Sequence, residues 1–369
     1  MADWARASVT DIADAVGAGR VSAVDVARAM LDRITALDTR TQAYLSVDRE
    51  GALAAAAQVD RTCAQAGRAL PLAGVPIAVK DNLCTRGVRT TCASRILEGY
   101  IPPYDAHVVE QLRAAGAVII GKLNLDEFAM GSSTENSAFF PTRNPWDETR
   151  TPGGSSGGAA AATALSLTAA ALGSDTGGSV RQPASYCGIT AIKPSYGRVS
   201  RYGLVAFASS LDQVGPLARN MRDAARLLGV ISGHDARDAT SVSRPVPDYE
   251  AECGQPVRGL RVGVVRGALE RGCESSVQSA FTRALERFAA LGCELVDVEL
   301  PHQKYAISVY YIVVAAEASS NLARFDGMRY GLRVAGEDLR DSYAKTRAAG
   351  FGTEVKRRVM LGTYVLSAG

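Results

Sequence analysis

Histidine is nearly missing from this 369-residue chain, which holds only His107, His234 and His302. None lies where a catalytic base is needed, so a Ser-His-Asp hydrolase has no base to use. The seven cysteines are odd in number and scattered, without a CxxC pair. This excludes a disulfide framework and a structural zinc site, and leaves reduced, mostly buried thiols in a cytosolic protein. A formal net charge of +3 is too small at this length to imply strong attraction to nucleic acid or membrane. The opening residues, MADWARASVTDIADAV, lack the basic start and unbroken apolar core of a secretory signal. The apolar run from Ala159 to Leu172 is too short to span a bilayer and is flanked by glycine loops. It reads as buried core. No internal repeat is present.

With 47% hydrophobic and 21% charged residues, the composition is that of an ordinary soluble globular chain. Its length suits one large α/β domain or two ordinary ones. Ser22-Ala23-Val24-Asp25 resembles a capping box, after which Val26, Met30, Leu31 and Ile34 recur at helical spacing. Ala52 to Ala66 continues the helical character. Val75 to Val79 is a short apolar strand that ends on Lys80, and Val118 to Gly121 is a second one. Met130 to Glu148 reads as a long loop, and Ile189 to Val205 as short strands around Gly197 and Gly203. Asn220 is placed to cap a helix over Met221–Leu228, with Gly229 beyond its end. Strand, helix and strand follow over Leu260–Val265, Ser276–Leu291 and Glu294–Leu300, a βαβ order that favours parallel pairing. The whole is α/β, with one dominant domain.

The densest chemistry lies between Arg150 and Gly188. Two glycine-serine loops, Gly153-Gly154-Ser155-Ser156-Gly157-Gly158 and Gly173-Ser174-Asp175-Thr176-Gly177-Gly178-Ser179, flank the apolar run. Glycines let backbone approach a ligand closely, and the serines are candidate nucleophiles. Gly153 to Gly157 formally matches a GxSxG elbow, but the segment in front is polar and carries Pro145 and Pro152 where a buried strand is required. Neither loop ends in the Lys-Ser/Thr of a phosphate-binding loop. Serine nucleophiles also work with lysine as base. Such a lysine must be neutral, which needs a shift of about three units and costs about 4 kcal/mol. Only a well-packed core tolerates that. Lys80 is best placed for it, and Lys122 and Lys193, also behind apolar segments, are its rivals. On these grounds Ser156 is a structural hydroxyl and Asp175 a tie within its loop.

Lys80 behind an apolar strand, the first loop, and the second loop continuing into Val180-Arg181-Gln182-Pro183-Ala184 together resemble the amidase signature family. The pattern spans over a hundred residues. More narrowly, Asp81-Asn82 with Thr90 to Ser94, Leu125 to Ser133, Asn321 to Gly331 and Glu354 to Arg358 with Leu361-Gly362-Thr363 resemble the glutaminase subunits of tRNA-dependent amidotransferases. The likeness covers essentially the whole chain.

The resemblance implies an α/β fold: a single large amidase-signature domain whose mixed β-sheet core is covered by helices on both faces. The N-terminal helical segment would cover about residues 1–68, and the catalytic core about 69–369. By the same resemblance Ser179 is the nucleophile, Ser155 relays a proton and Lys80 is the base. The peptide bond at Ser155 is cis. The N–H groups of Thr176, Gly177, Gly178 and Ser179 form the oxyanion hole, in a turn leading into a short helix. Arg358 pairs with the α-carboxylate of glutamine. Gly131 and Tyr310, with Tyr311 as the alternative, line the pocket. The reaction implied is hydrolysis of glutamine to supply ammonia for converting Glu-tRNA(Gln) to Gln-tRNA(Gln), in a cytoplasmic heterotrimer. A larger B subunit handles most tRNA contact and uses ATP and Mg, a small C subunit ties the two together, and the glutaminase needs no cofactor of its own. The alternative is a free-standing amidase acting on other small amides. Family members continue beyond the Leu361 region, with more sheet and an acidic residue that holds the amino group of glutamine. The C-terminal part of the domain is therefore expected to be missing here, and activity of this exact chain to be weak.

Overall fold

The computed structural model describes residues 3–66, 70–268 and 272–367. It divides into a larger unit, Met1–Glu250 with Ile312–Gly369, and a smaller one, Ala251–Tyr311. Among its described residues the larger unit carries six strands: β1 (Tyr44–Val47), β2 (Pro76–Lys80), β3 (Val118–Leu123), β4 (Ala170–Asp175), β5 (Thr190–Ala191) and β6 (Gln213–Ala218). They lie in the order β1-β3-β2-β4-β6-β5. The central trio β3-β2-β4 is parallel, while β1, β6 and β5 join antiparallel, so the sheet is mixed as expected. Strands β2, β3, β4 and β6 are buried along their whole length, which is why β2 and β3 read as apolar runs rather than as alternation. Gly173–Asp175, expected as loop, instead close β4 because their backbone pairs with β6.

Helices α1 (Val9–Gly17), α2 (Ala23–Thr41) and α3 (Arg49–Ala66) lie in the N-terminal segment expected to be helical, which also carries β1, and α2 forms where the periodicity places it. The Ser22 hydroxyl accepts the Asp25 N–H, and Val26, Met30, Leu31 and Ile34 are buried on one face of α2. Helices α4 (His107–Ala114), α5 (Gly157–Ala164), α6 (Arg181–Tyr186) and α7 (Met221–Ile231) connect the later strands. Asn220 caps α7 by accepting from the Asp223 N–H, but Gly229 lies inside that helix instead of beyond it. The buried Ile231 explains the difference, because its side chain anchors a further turn. In the stretch from Ile189 to Val205 only Thr190–Ala191 pairs as a strand. Gly197 and Gly203, at φ 78° and 80°, turn the chain before longer strands can form.

The smaller unit pairs β7 (Arg261–Val264) parallel with β8 (Glu294–Asp297) across α8 (Ser275–Ala290), the βαβ order expected. Helix α9 (Ala306–Leu322), whose residues from Ile312 on belong to the larger unit, is followed by α10 (Leu339–Gly350) and α11 (Thr353–Ser367). Among the described residues no helix is long and apolar enough to cross a membrane.

Candidate active site

The parallel trio ends in one place, and open α/β sheets bind ligands beyond such carboxyl ends. Lys80 is the last residue of β2, and Ser174 and Asp175 close the neighbouring β4. The Lys80 ammonium, fully buried, reaches Ser155 Oγ at 2.7 Å, Ser156 Oγ at 2.9 Å, Ser174 Oγ at 3.0 Å and the Ser174 carbonyl at 3.2 Å. No carboxylate pairs with it among the described residues. Burial pushes its pKa down to about 7, against the opposing pull of Asp126, Asp175 and Asp212. The surrounding hydroxyls can donate or accept, so the same contacts serve the charged and the neutral amine.

The two loop serines differ in where their protons can go. Ser156 Oγ donates to the Ser174 carbonyl at 3.1 Å, which commits its proton. Ser155 Oγ accepts from Lys80 and donates to no group among the described residues. Its peptide bond with Gly154 is cis. Asp126 braces this loop from the other side: its N–H donates to the Ser155 carbonyl, and its carboxylate accepts from the N–H groups of Ser133 and Asn136 and from the Asn136 amide.

Ser179 sits at the start of the turn into α6, 8% exposed. Its carbonyl accepts the Ser156 N–H at 3.0 Å, which ties the second glycine-serine loop to the first. Its own hydroxyl makes no hydrogen bond among the described residues. Asp175 ties its loop as expected, accepting from the N–H groups of Gly178, Val180 and Arg181 and from the Arg181 guanidinium. Burial would raise the Asp175 carboxyl, but Arg181 and the converging N–H groups hold it below its usual range. The Gly178 N–H is thus engaged, at 2.8 Å. Those of Thr176, Gly177 and Ser179 make no intramolecular hydrogen bond among the described residues. The Thr176 hydroxyl donates to Asp212 at 2.6 Å, which fixes the turn from behind.

Arg358 lies on α11, 5% exposed, with Nε 2.7 Å from Glu354 and its guanidinium 5.5 Å from the centre of the Phe207 ring. Gly131 packs against the Asp126 side chain so tightly that a Cβ there would collide with it. Tyr310 belongs to the smaller unit, where its ring meets that of Tyr311 edge-on at 5.4 Å.

The rival lysines have other tasks. Lys122 is buried in an ion pair with Asp81 at 3.1 Å and also donates to Thr90 and the Leu83 carbonyl. Lys193 is half-buried and donates to its neighbour's carbonyl at Pro194. Two supports were not foreseen. Ser174 Oγ accepts from both Lys80 and Asn82, and Asp126 holds the Ser155 loop. Asn82, two residues after Lys80, was the available signal for the first of these. Among the described residues no group of three or more His, Cys, Asp or Glu side chains could hold a metal ion.

The sequence profile of the amidase family matches residues 25–369. The chain belongs to the amidase family. It is accordingly an enzyme of the amidase and amidotransferase class. It is 57% identical over 363 residues to the A subunit of the glutamyl-tRNA(Gln) amidotransferase of Carboxydothermus hydrogenoformans, covering 98% of this chain and 75% of that protein. The corresponding protein of Anaeromyxobacter dehalogenans, of the same name, is 58% identical over 355 residues, covering 96% of this chain and 72% of its own length. Among solved structures, the A subunit of the Thermotoga maritima glutamyl-tRNA(Gln) amidotransferase aligns over 100% of this chain and 72% of its own, at a TM-score of 0.77 and 43% identity. The Stenotrophomonas maltophilia peptide amidase aligns over 99% of this chain and 79% of its own, at a TM-score of 0.83 and 31% identity.

Proposed function

We propose that this amidase-family chain is the glutaminase subunit of a tRNA-dependent amidotransferase and that it works through Ser179, Ser155 and Lys80. The single observation that carries the chemistry is the buried Lys80 amine 2.7 Å from Ser155 Oγ, a hydroxyl that donates to no group among the described residues, and burial brings that amine to about 7. A base whose pKa lies near the working pH is half available and still strong enough to take a proton.

In this reading Ser179 Oγ attacks the side-chain amide carbon of glutamine. Its proton passes to Ser155 as the Ser155 proton passes to Lys80. The tetrahedral oxyanion lies against the N–H groups of Thr176, Gly177 and Ser179. The C–N bond then breaks, Lys80 returns the proton through Ser155 to the leaving nitrogen, and ammonia departs. Water attacks the remaining ester by the same route, releasing glutamate and restoring Ser179. Arg358, buried beside the Phe207 ring, holds the α-carboxylate. Gly131, packed on Asp126, lines the same pocket. The ammonia passes to a B subunit, which activates Glu-tRNA(Gln) with ATP in the cytoplasm, and a C subunit joins the two. The high identity to relatives named as the A subunit of this amidotransferase supports this choice of substrate over other amides.

The test is ammonia release from glutamine by the chain alone and with both partner subunits and Glu-tRNA(Gln) added. Release that rises on their addition is expected. Fast turnover of aliphatic or aryl amides without any response to those partners would overturn the proposal.

A further inference from the structure

Glu127 is a buried carboxylate that none of these steps uses. It is 2% exposed and sits beside Asp126, the brace of the Ser155 loop. Its own side chain points elsewhere. One oxygen accepts the Ser94 hydroxyl, and the other accepts the Gly352 N–H at 2.9 Å. Gly352 immediately precedes Thr353, the first residue of α11, and Arg358 lies six residues further along, roughly 9 Å up the helix axis. Ser94 Oγ also lies 3.2 Å from the Gly350 carbonyl, on the other side of the same junction. Rings reinforce it: Phe128, next to Glu127, lies 4.9 Å from Phe325 and 5.7 Å from Phe351 between centroids. The approach is so close that a Cβ on Gly352 would collide with the Glu127 carboxylate.

Neighbouring residues thus hold two separate parts of the site, Asp126 the Ser155 loop and Glu127 the foot of α11. We infer that Glu127 is a positioning residue that fixes the first turn of α11 and so sets where Arg358 meets the carboxylate of an amide substrate. This rests on the reading of Arg358 given under Proposed function. Burial pushes the Glu127 carboxyl up to about 7, against the Ser94 hydroxyl, the Gly352 N–H and Lys356.

The test compares Glu127→Ala and Glu127→Gln in two measurements. In hydrogen exchange, Glu127→Ala is expected to speed the amides of the first turn of α11 by about tenfold or more while β2 and β4 keep their protection. In kinetics, it is expected to raise KM for glutamine by about tenfold with kcat nearly unchanged, and to leave turnover of a neutral amide of the same length unaltered. Glu127→Gln keeps an acceptor for the Gly352 N–H and is expected to recover most of the loss. Unchanged exchange in α11 overturns the inference, as does an equal loss on both amides, which marks a merely structural role. If the wild-type enzyme is indifferent to the carboxylate, the glutamine reading and the substrate half of this inference both fall, and exchange alone decides the tether. Should Glu127→Ala not fold, Gly352→Ala displaces the carboxylate and is expected to give the same KM shift.

Discussion

Asp81 and Lys122 form an ion pair 3.1 Å long, sealed from solvent, one strand away from the carboxylate-free Lys80. Two lysines therefore share the core and differ in their partners. Lys122 is neutralised, and its contacts with Thr90 and Leu83 fix the loop that leaves β2. Removing one partner strands a charge in the core. Asp81→Ala is expected to destabilise the protein by about 3–5 kcal/mol, and a doubly apolar pair, Asp81→Leu with Lys122→Met, to recover much of that. Denaturant melts check both, and an Asp81→Ala midpoint equal to wild type would refute the first.

Lys80 makes both activity and stability rise with pH, over different ranges. As the base it must be neutral, so kcat/KM is expected to rise about tenfold per unit below pH 7 and level off above it. For stability, the folded value of about 7 lies below the value of about 10.4 in the unfolded chain. Between these the unfolded chain binds the extra proton, so the group's contribution improves as pH rises from 7 to 10. At pH 7 the penalty is on the order of 4 kcal/mol. Lys80→Met is thus expected to abolish ammonia release yet melt higher than wild type at pH 7, with the gap narrowing by pH 9. A variant that melts lower at pH 7 would show that the hydroxyl contacts outweigh the burial penalty.

The three serines should separate kinetically. Ser179→Ala and Ser155→Ala are each expected to lower kcat by about a thousandfold or more, since members of one proton path act as a unit. Ser156→Ala removes a donor to the Ser174 carbonyl and a Lys80 contact without breaking that path, and about a tenfold loss is expected. Comparable losses at Ser155 and Ser156 would move the relay to both hydroxyls.

Strands β2 and β3 and the Lys80 position were legible because burial on both faces leaves an unbroken apolar run, and a lysine at its end stands out against it. Glycine spacing marked the two loops for the same reason. Strand β4, whose Gly173–Asp175 end reads as loop, and β6, with Gln213, Gly215 and Pro216, carry no such run. What composition and periodicity left open was which buried lysine lacks a counter-ion. That depends on Asp81, whose neighbour in sequence is Lys80 but whose ion-pair partner is Lys122 across the sheet. Gly229 misled in a simpler way. A glycine near a helix end reads as a stop, but the buried Ile231 outweighs it. The supports of the site were least visible. The Asp126 carboxylate bonds to the backbone N–H groups of Ser133 and Asn136 and to the Asn136 amide, and Glu127 to the distant Ser94 hydroxyl and Gly352 N–H; such partners leave no pattern in sequence.

Gly154 offers the sharpest test of how tightly the relay is held. Its N–H donates to the Gln182 side chain at 2.9 Å, and Gln182 in turn donates to the Ser132 carbonyl at 3.0 Å. A Cβ on Gly154 would collide with the Asp126 carboxylate and stand 2.7 Å from the Ser133 nitrogen and 2.9 Å from the Ser132 carbonyl carbon. Two of these neighbours are backbone and cannot swing aside, so the loop carrying Ser155 must move. Gly154→Ala is expected to lower kcat by about a hundredfold or more, because small misplacements of a proton-transfer group are costly. The stability loss should be only about 1–3 kcal/mol, as overpacking usually is. Gly229→Ala is the control: it lies inside α7 with nothing within 4 Å of an added Cβ, and is expected to stabilise by about 0.5–1 kcal/mol with no effect on turnover. Ammonia assays and thermal melts on the two variants decide it, and an active Gly154→Ala enzyme would mean that Ser155 does not need the position described.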